Sequence, residues 1–379
     1  MAAVEIGKVS AWLVCLASSV AYFMSTGLIK SLGVLLPILR QQFDTQTWII
    51  GLTISLVPGF GGVATFIIGA EAILAGELAK YFDQHYGLAN CIARSGISLG
   101  IVVMPFLTQF LNDVYGWRGA LLLLGALNFH SVISGILLKS TSHHVPDDKT
   151  AFPLSLETEK KTAHQQLSRT IAYYLDLELL LNPIALKRIV YNLGSAYAFV
   201  GWMIYLVPNA IDIGISPYRA ASLSAIGGIG NLLGNATFPL LKKKLSNEHI
   251  LYLTTLVVCL SLVGNPLLSL LHSYTGLVVA SFTFGFARGP ATLASYQIAK
   301  ENIEEDKING VCTWMLVAYS IGSVTSGFLS GWIYDETGSY TVSFLTLGLV
   351  ALLSVVPQPF VNNAQNQKKS QYSQLSPEE

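Results

Sequence analysis

The stretch SAWLVCLASSVAYFMSTGLIKSLGVLLPIL, from Ser10 to Leu39, holds thirty residues and one charge, Lys30. A helix needs about 20 apolar residues to cross the hydrocarbon core of a bilayer. A secretory leader would end after about 7–15 apolar residues at a small-residue cleavage site. Here the apolar character passes Met24 and resumes through to Leu39, so the stretch reads as a retained first span over 10–36. The rest of the chain agrees. Of 379 residues, 52% are hydrophobic and only 12% charged, roughly half the charge fraction of a soluble domain. That argues against an ordinary soluble enzyme. Twenty-two basic residues balance twenty-two acidic ones, so bulk charge gives no reason to bind nucleic acid.

Nine further apolar runs follow, near 47–79, 88–111, 118–138, 188–210, 217–241, 250–271, 275–299, 309–333 and 339–357. With the N-terminus inside, sixteen Lys and Arg fall in cytoplasmic segments, and only Arg40, Arg118 and Arg219 in outer loops. The positive-inside bias then places both termini in the cytoplasm. Residues 139–187 contain no run of membrane length and divide four spans from six. Within them, 155–181 has the apolar periodicity of a helix lying on the membrane surface. The polar tail, 358–379, reads as disordered. The predicted organisation is a four-span bundle over 1–138, a cytoplasmic loop over 139–187, a six-span bundle over 188–357, and the tail.

Cys15, Cys91, Cys259 and Cys312 are scattered through apolar runs without CxxC spacing and read as packing residues. His143 and His144 read as solvated loop residues, and His130 and His272 as interface residues near span ends. No nucleotide-binding, zinc-protease or serine-hydrolase motif occurs. No cofactor or metal is expected, and the energy for any transport comes from a solute or ion gradient.

The segment YFDQHYGLANCIARSGISLG (Tyr81 to Gly100) resembles the signature loop of the monocarboxylate-transporter family within the major facilitator superfamily. Tyr81, Phe82, Leu88, Ala89, Ala93, Gly96 and Gly100 match that pattern. Further matches follow in order: YGWRGALLLLG (Tyr115 to Gly125), LDLELLLNP (Leu175 to Pro183), LVPNAIDIGISPYRAASLSAIG (Leu206 to Gly227) and GWIYDETGSYTVSF (Gly331 to Phe344). The resemblance implies an all-α polytopic protein of two bundles, with substrate handled between them. The family has twelve helices in a six-plus-six arrangement; this chain shows about ten, four plus six. The deficit lies at Trp48 to Tyr81, where WIIGLTISLVPGFGG resembles the start of the family's second helix and ATFIIGAEAILAGELAKYF the end of its fourth. The fused segment, 47–79, would be about 50 Å long as one helix. Pro58, Gly59, Gly61 and Gly62 predict a kink or strong tilt in it.

Charge inside a bilayer is costly, which makes each buried ionisable residue a functional candidate. Lys30 is the first. The resemblance implies a role in carboxylate or proton binding, and a buried amine gains both a proton and a counter-ion when a carboxylic acid arrives. The competing reading is a lysine snorkelling to the outer headgroups. Arg288, in SFTFGFARGPATLASYQ (Ser281 to Gln297), suits bidentate carboxylate binding; the competing reading is a pair with Glu71 or Glu77. Asn231 and Asn235 offer amides that serve either as ligands or as helix-packing groups. The family's proton-coupled lactate carriers place an aspartate and an arginine where this chain has Gly230 and Gly234. Tyr81, Phe82, Arg94 and Gly96 are the gating and signature-loop candidates. Trp202, Tyr205 and Tyr319 read as aromatic packing.

The expected function is secondary transport of a small organic acid, a monocarboxylate or an amino-acid-like solute, by alternating access with proton linkage. The expected partners are that organic acid, protons, the lipid bilayer and a single-span glycoprotein chaperone; the expected location is the plasma membrane. The alternative is a non-transporting truncated isoform, or an incomplete gene model, of such a carrier.

Overall fold

The computed structural model describes residues 2–68, 86–129, 178–270, 273–303 and 307–355. Tyr81, Phe82, Glu71, Glu77, His130, His143, His144, His272, the tail and the expected surface helix up to residue 177 lie outside them. Every regular element among the described residues is helical: α1 Ala2–Phe43, α2 Thr47–Ile68, α3 Tyr86–Phe129, α4 Glu178–Leu181, α5 Pro183–Asp212, α6 Pro217–Lys242, α7 Asn247–Leu270, α8 Tyr274–Asn302, α9 Ile308–Thr337 and α10 Tyr340–Leu353. Six helices carry spans long and apolar enough to cross a bilayer: Cys15–Phe43, Ala89–Phe129, Pro183–Asp212, Asn247–Leu268, Tyr274–Asn302 and Gly310–Thr337. The chain is a multi-pass membrane protein.

Two departures from the span reading have local causes. The expected spans at 88–111 and 118–138 meet in one long element, α3, which turns at Gly116 with φ 68° and ψ 174°. An L side chain is rarely tolerated there, and glycine is. Helix α2 stays helical through Pro58 to Ile68, so the expected break does not fall among the described residues. The Pro58 carbonyl accepts from Ser320 Oγ on α9, 3.5 Å away.

The burial pattern is that of a protein in lipid: large apolar side chains face out and small polar ones face in. On α7, Leu253, Leu256, Leu260, Val263 and Leu267 form an exposed stripe at helical spacing, while Thr254, Thr255, Ser261 and Asn265 are buried. Helix α5 is buried on nearly every side over its central length and packs against α1, α6, α9 and α10. The other long contacts pair α1 with α3, α2 with α9, α3 with α6, α6 with α8, and α7 with α8.

Close backbone approach sets one of these pairings. A Cβ on Gly96 of α3 would stand 1.9 Å from the Ser19 carbonyl oxygen of α1, so this glycine of the signature segment seats one helix on the other. The turns α1–α2, α5–α6, α9–α10 and the Gly116 turn share one end of the bundle. There Tyr218 donates to Asp113 at 2.6 Å and Trp117 Nε1 to Gln42 at 3.3 Å. Lys242 pairs with Glu301 at 3.2 Å at the opposite end.

Candidate functional site

Lys30 reaches neither lipid nor headgroups. It is wholly buried; its Nζ donates to the Met203 carbonyl of α5 at 2.8 Å and lies 4.7 Å from the centroid of the Trp202 ring. Trp202 in turn stacks on Phe284 of α8, with centroids 4.5 Å apart. The snorkelling alternative does not survive this geometry. An ammonium held by one carbonyl and one ring face keeps donors for a further acceptor, and the ring face itself attracts a cation.

Arg288 lies one aromatic step further into the bundle. Its guanidinium sits 4.9 Å from the Phe199 ring centroid, and its Nη1 donates to Thr292 Oγ1. Its Nε is buried without a hydrogen-bond partner. Phe199 and Trp202 are three residues apart on α5, about 4.5 Å along the helix axis. Arg94 comes next, from α3: its Nε donates to Asn90 Oδ1 at 3.1 Å, and the guanidinium covers the Tyr296 ring at 4.3 Å.

Asn231 and Asn235 hold helices together. Asn231 Oδ1 accepts from Ser98 Oγ of α3 at 2.8 Å and from Asn235 Nδ2 at 3.3 Å, while Asn231 Nδ2 donates to the Gly285 carbonyl of α8 at 3.3 Å. Beside them, a Cβ on Gly230 would stand 2.4 Å from the Phe282 carbonyl oxygen, and one on Gly234 would stand 2.1 Å from that of Phe286. The two positions that the resemblance matches to a charged pair in the family are here closed by the backbone of α8. No side chain of any size fits.

One cavity of about 620 Å³ opens at the end of the bundle that carries the α1–α2 turn. It is lined by Leu36, Pro37, Arg40, Pro208, Asp212 and Tyr334, among others. Arg40 Nη1 donates to Tyr334 Oη at 3.2 Å, and Tyr334 Oη donates to Asp212 Oδ1 at 3.0 Å. This chain of contacts ties α1 through α9 to α5. The neighbouring Asp335 accepts from the backbone N–H groups of Thr47 and Trp48 at 3.1 and 3.0 Å, fastening the first turn of α2 to α9 where the helix dipole favours a carboxylate. Between cavity and Lys30 the helices close: a Cβ on Gly33 would stand 2.9 Å from the Ile204 carbonyl oxygen.

Sequence reading singled out Lys30, Arg288, Arg94, Asn231, Asn235 and Gly96, and all six are buried interface positions. Only Lys30, Arg288 and Arg94 fall along one aromatic column. Tyr81 and Phe82 lie outside the described residues. The Arg40–Tyr334–Asp212 chain was missed, although Asp212, Tyr334 and Asp335 all stand inside the quoted motifs. In the sequence Arg40 reads only as an outer-loop charge.

A family model for the Major Facilitator Superfamily matches residues 72–324. Among curated proteins, the chain is 26% identical over 370 residues to monocarboxylate transporter 12 of Mus musculus, covering 93% of this chain and 73% of that relative. It is 29% identical over 331 residues to monocarboxylate transporter 13 of Rattus norvegicus, with 87% and 70% covered. To monocarboxylate transporter 2 of Meriones unguiculatus it is 26% identical over 367 residues, with 95% and 73% covered. An all-helical set of described elements packed around buried cations, and a family match across two-thirds of the sequence, lead to one conclusion: the chain belongs to the major facilitator superfamily.

Proposed function

We propose that this protein is a secondary transporter of small organic acids, with Lys30 as the cation that receives the carboxylate. The carrying observation is the placement of that amine, fully buried at the α1–α5 contact and held by a single carbonyl and an indole face. The names of the relatives support a monocarboxylate or an amino-acid-like solute. In this reading residues 1–138 and 188–357 rock against each other across the loop at 139–187. Both termini lie in the cytoplasm, and the Arg40–Tyr334–Asp212 chain closes the outer mouth. Arg288 supplies a second anion-binding group. Asn231 and Asn235 border the path. The plasma membrane is the working location, with a single-span glycoprotein as chaperone.

Proton linkage in this reading rests on Lys30 alone, since Gly230 and Gly234 carry no ionisable group. The second reading is a truncated, non-transporting product. It draws on the fused segment at 47–79 and on curated relatives that extend about a quarter beyond the matched region.

Counterflow of radiolabelled pyruvate, lactate and neutral amino acids into proteoliposomes separates the two readings. Uptake above empty liposomes, faster with an inward proton gradient and at least about tenfold lower in Lys30→Gln, supports the carrier. A monodisperse, folded protein that moves none of these solutes leaves the truncated-product reading in its place.

A further inference from the structure

The cavity at the outer mouth holds more acceptors than its latch uses. Its lining includes one guanidinium, Arg40, and three carboxylates, Asp44, Asp212 and Asp335. Asp335 is engaged by the N–H groups of Thr47 and Trp48. The latch is complete with one oxygen of Asp212, which accepts from Tyr334; the second oxygen takes no hydrogen bond among the described residues. Tyr340 on α10 is an independent sign. It lines the same cavity although only 3% of it is exposed, and it stacks on the Tyr334 ring with centroids 4.0 Å apart. Asp212 and Arg40 stand within electrostatic range of its hydroxyl, which has no hydrogen-bond partner among the described residues. A largely buried polar group left in that state is costly, and the phenol oxygen is open to a donor that fills the cavity.

We propose that this cavity is an outer binding site for the protonated amine of an amino-acid-like solute, with Asp212 and Tyr340 as its acceptors. The inference rests on the transport reading above and narrows it to acids that also carry an amine. The sign of the charge decides the chemistry. One positive side chain against three negative ones leaves the lining with two net negative formal charges, so an ammonium is drawn in and a bare carboxylate is repelled. An ammonium has three donors and no acceptor, which suits a lining whose spare groups are a carboxylate oxygen and a phenol oxygen. The volume of about 620 Å³ falls within the range of about 300–1,000 Å³ usual for small-solute sites. The close packing at Gly33 separates this cavity from Lys30. The amine is therefore recognised at the mouth, before the carboxylate reaches the interior cation.

The test uses the full chain with Gln41→Cys in proteoliposomes, since Gln41 is exposed and part of the lining, and reads its labelling by a water-soluble maleimide. The four native cysteines, buried or half-buried, set the background in the unsubstituted chain. The probes are leucine and 4-methylpentanoate, which is leucine without its amine. Leucine is expected to slow labelling severalfold, and 4-methylpentanoate to leave it unchanged. Asp212→Asn and Tyr340→Phe should each raise the leucine concentration for half-protection by about fivefold. Tyr340→Phe keeps the ring stack, so its melting temperature should stay within a few degrees. Protection should survive Lys30→Gln even where leucine uptake is lost, as two separate sites require. Equal protection by 4-methylpentanoate overturns the proposal, because the amine is then not what is read. So does protection on replacing choline by sodium with no solute present, which makes the cavity a metal-cation site, and so does loss of protection in Lys30→Gln. Uptake of leucine or pyruvate without any protection removes the outer site and keeps the carrier. Protection by leucine in a protein that moves no solute keeps the site and removes the carrier.

Discussion

The mouth of the bundle and its interior treat positive charge in opposite ways. At the mouth, Arg40 reaches Asp212 through the Tyr334 hydroxyl, and Asp335 stands beside it on the first N–H groups of α2. In the interior, Lys30 and Arg288 lie on indole and phenyl faces with a backbone carbonyl and a threonine for partners. The first arrangement is complete within the protein and costs little to hold. The second shows no carboxylate hydrogen-bonded to either cation among the described residues. A latch needs the former and a binding path the latter, so in the proposed carrier the two regions divide gating from recognition.

The harshest test of this division puts charge where the interior excludes it. Gly230→Asp combined with Gly234→Arg restores the pair that lactate carriers hold, and places it against the Phe282 and Phe286 carbonyls. Overpacking and a buried pair together should cost more than about 3 kcal/mol. The double variant is expected to lose its monodisperse peak in detergent. Uptake with enhanced proton dependence would show instead that α6 and α8 can separate.

Replacing Lys30 by Met removes the interior cation without stranding a counter-ion. The expected result is a drop of about 10- to 100-fold in organic-acid affinity, the range for a lost charge-assisted hydrogen bond, with the melting temperature unchanged or raised. A stability loss as large as the affinity loss would make Lys30 a structural tie between α1 and α5. That outcome erases the contrast between the two regions.

The helices were legible because lipid imposes one strong rule, the apolar run of membrane length: eight of the ten expected runs overlap described helices of their own and the other two share α3. What the sequence hid was where each polar group points. Lys30 among Ser25, Thr26 and Ser31 looks the same whether it faces lipid or α5; only the Met203 carbonyl decides it. The Gly230 and Gly234 positions announced a missing charge pair, but not that α8 fills their place. The mouth was legible as motif and not as mechanism: Asp212 and Tyr334 are more than a hundred residues apart, and nothing local links them. Gly116 was foreseen only as a gap between two spans. Its positive φ explains why the gap is so short.

A smaller effect is expected at the mouth, because Asp212 is exposed. Arg40→Gln and Asp212→Asn should each cost about 1 kcal/mol or less, as for other exposed charged contacts. The functional readout is sharper. Both variants weaken the tie among α1, α5 and α9, so a cysteine introduced at Leu36 should react a few-fold faster with a water-soluble maleimide. Organic-acid affinity should stay within about twofold. A tenfold loss of affinity with unchanged labelling would move Arg40 from the latch into the binding path.

The smallest expected change separates clasp from ligand at Asn231. Ser98 Oγ donates to Asn231 Oδ1, which also accepts from Asn235, so Ser98→Ala removes one of two donors and strands no acceptor. A neutral hydrogen bond of this kind contributes about 1 kcal/mol, and the melting temperature should fall by only a few degrees. Asn231→Ala removes the links to α3 and α8 together and should cost more. The double variant should then cost little beyond Asn231→Ala alone, since the serine has already lost its acceptor. If the amide serves packing, KM follows neither change. If it binds solute, Asn231→Ala raises KM severalfold while Ser98→Ala, which leaves the amide in place, does not; the interior then recognises its substrate with a neutral group as well as with its cations.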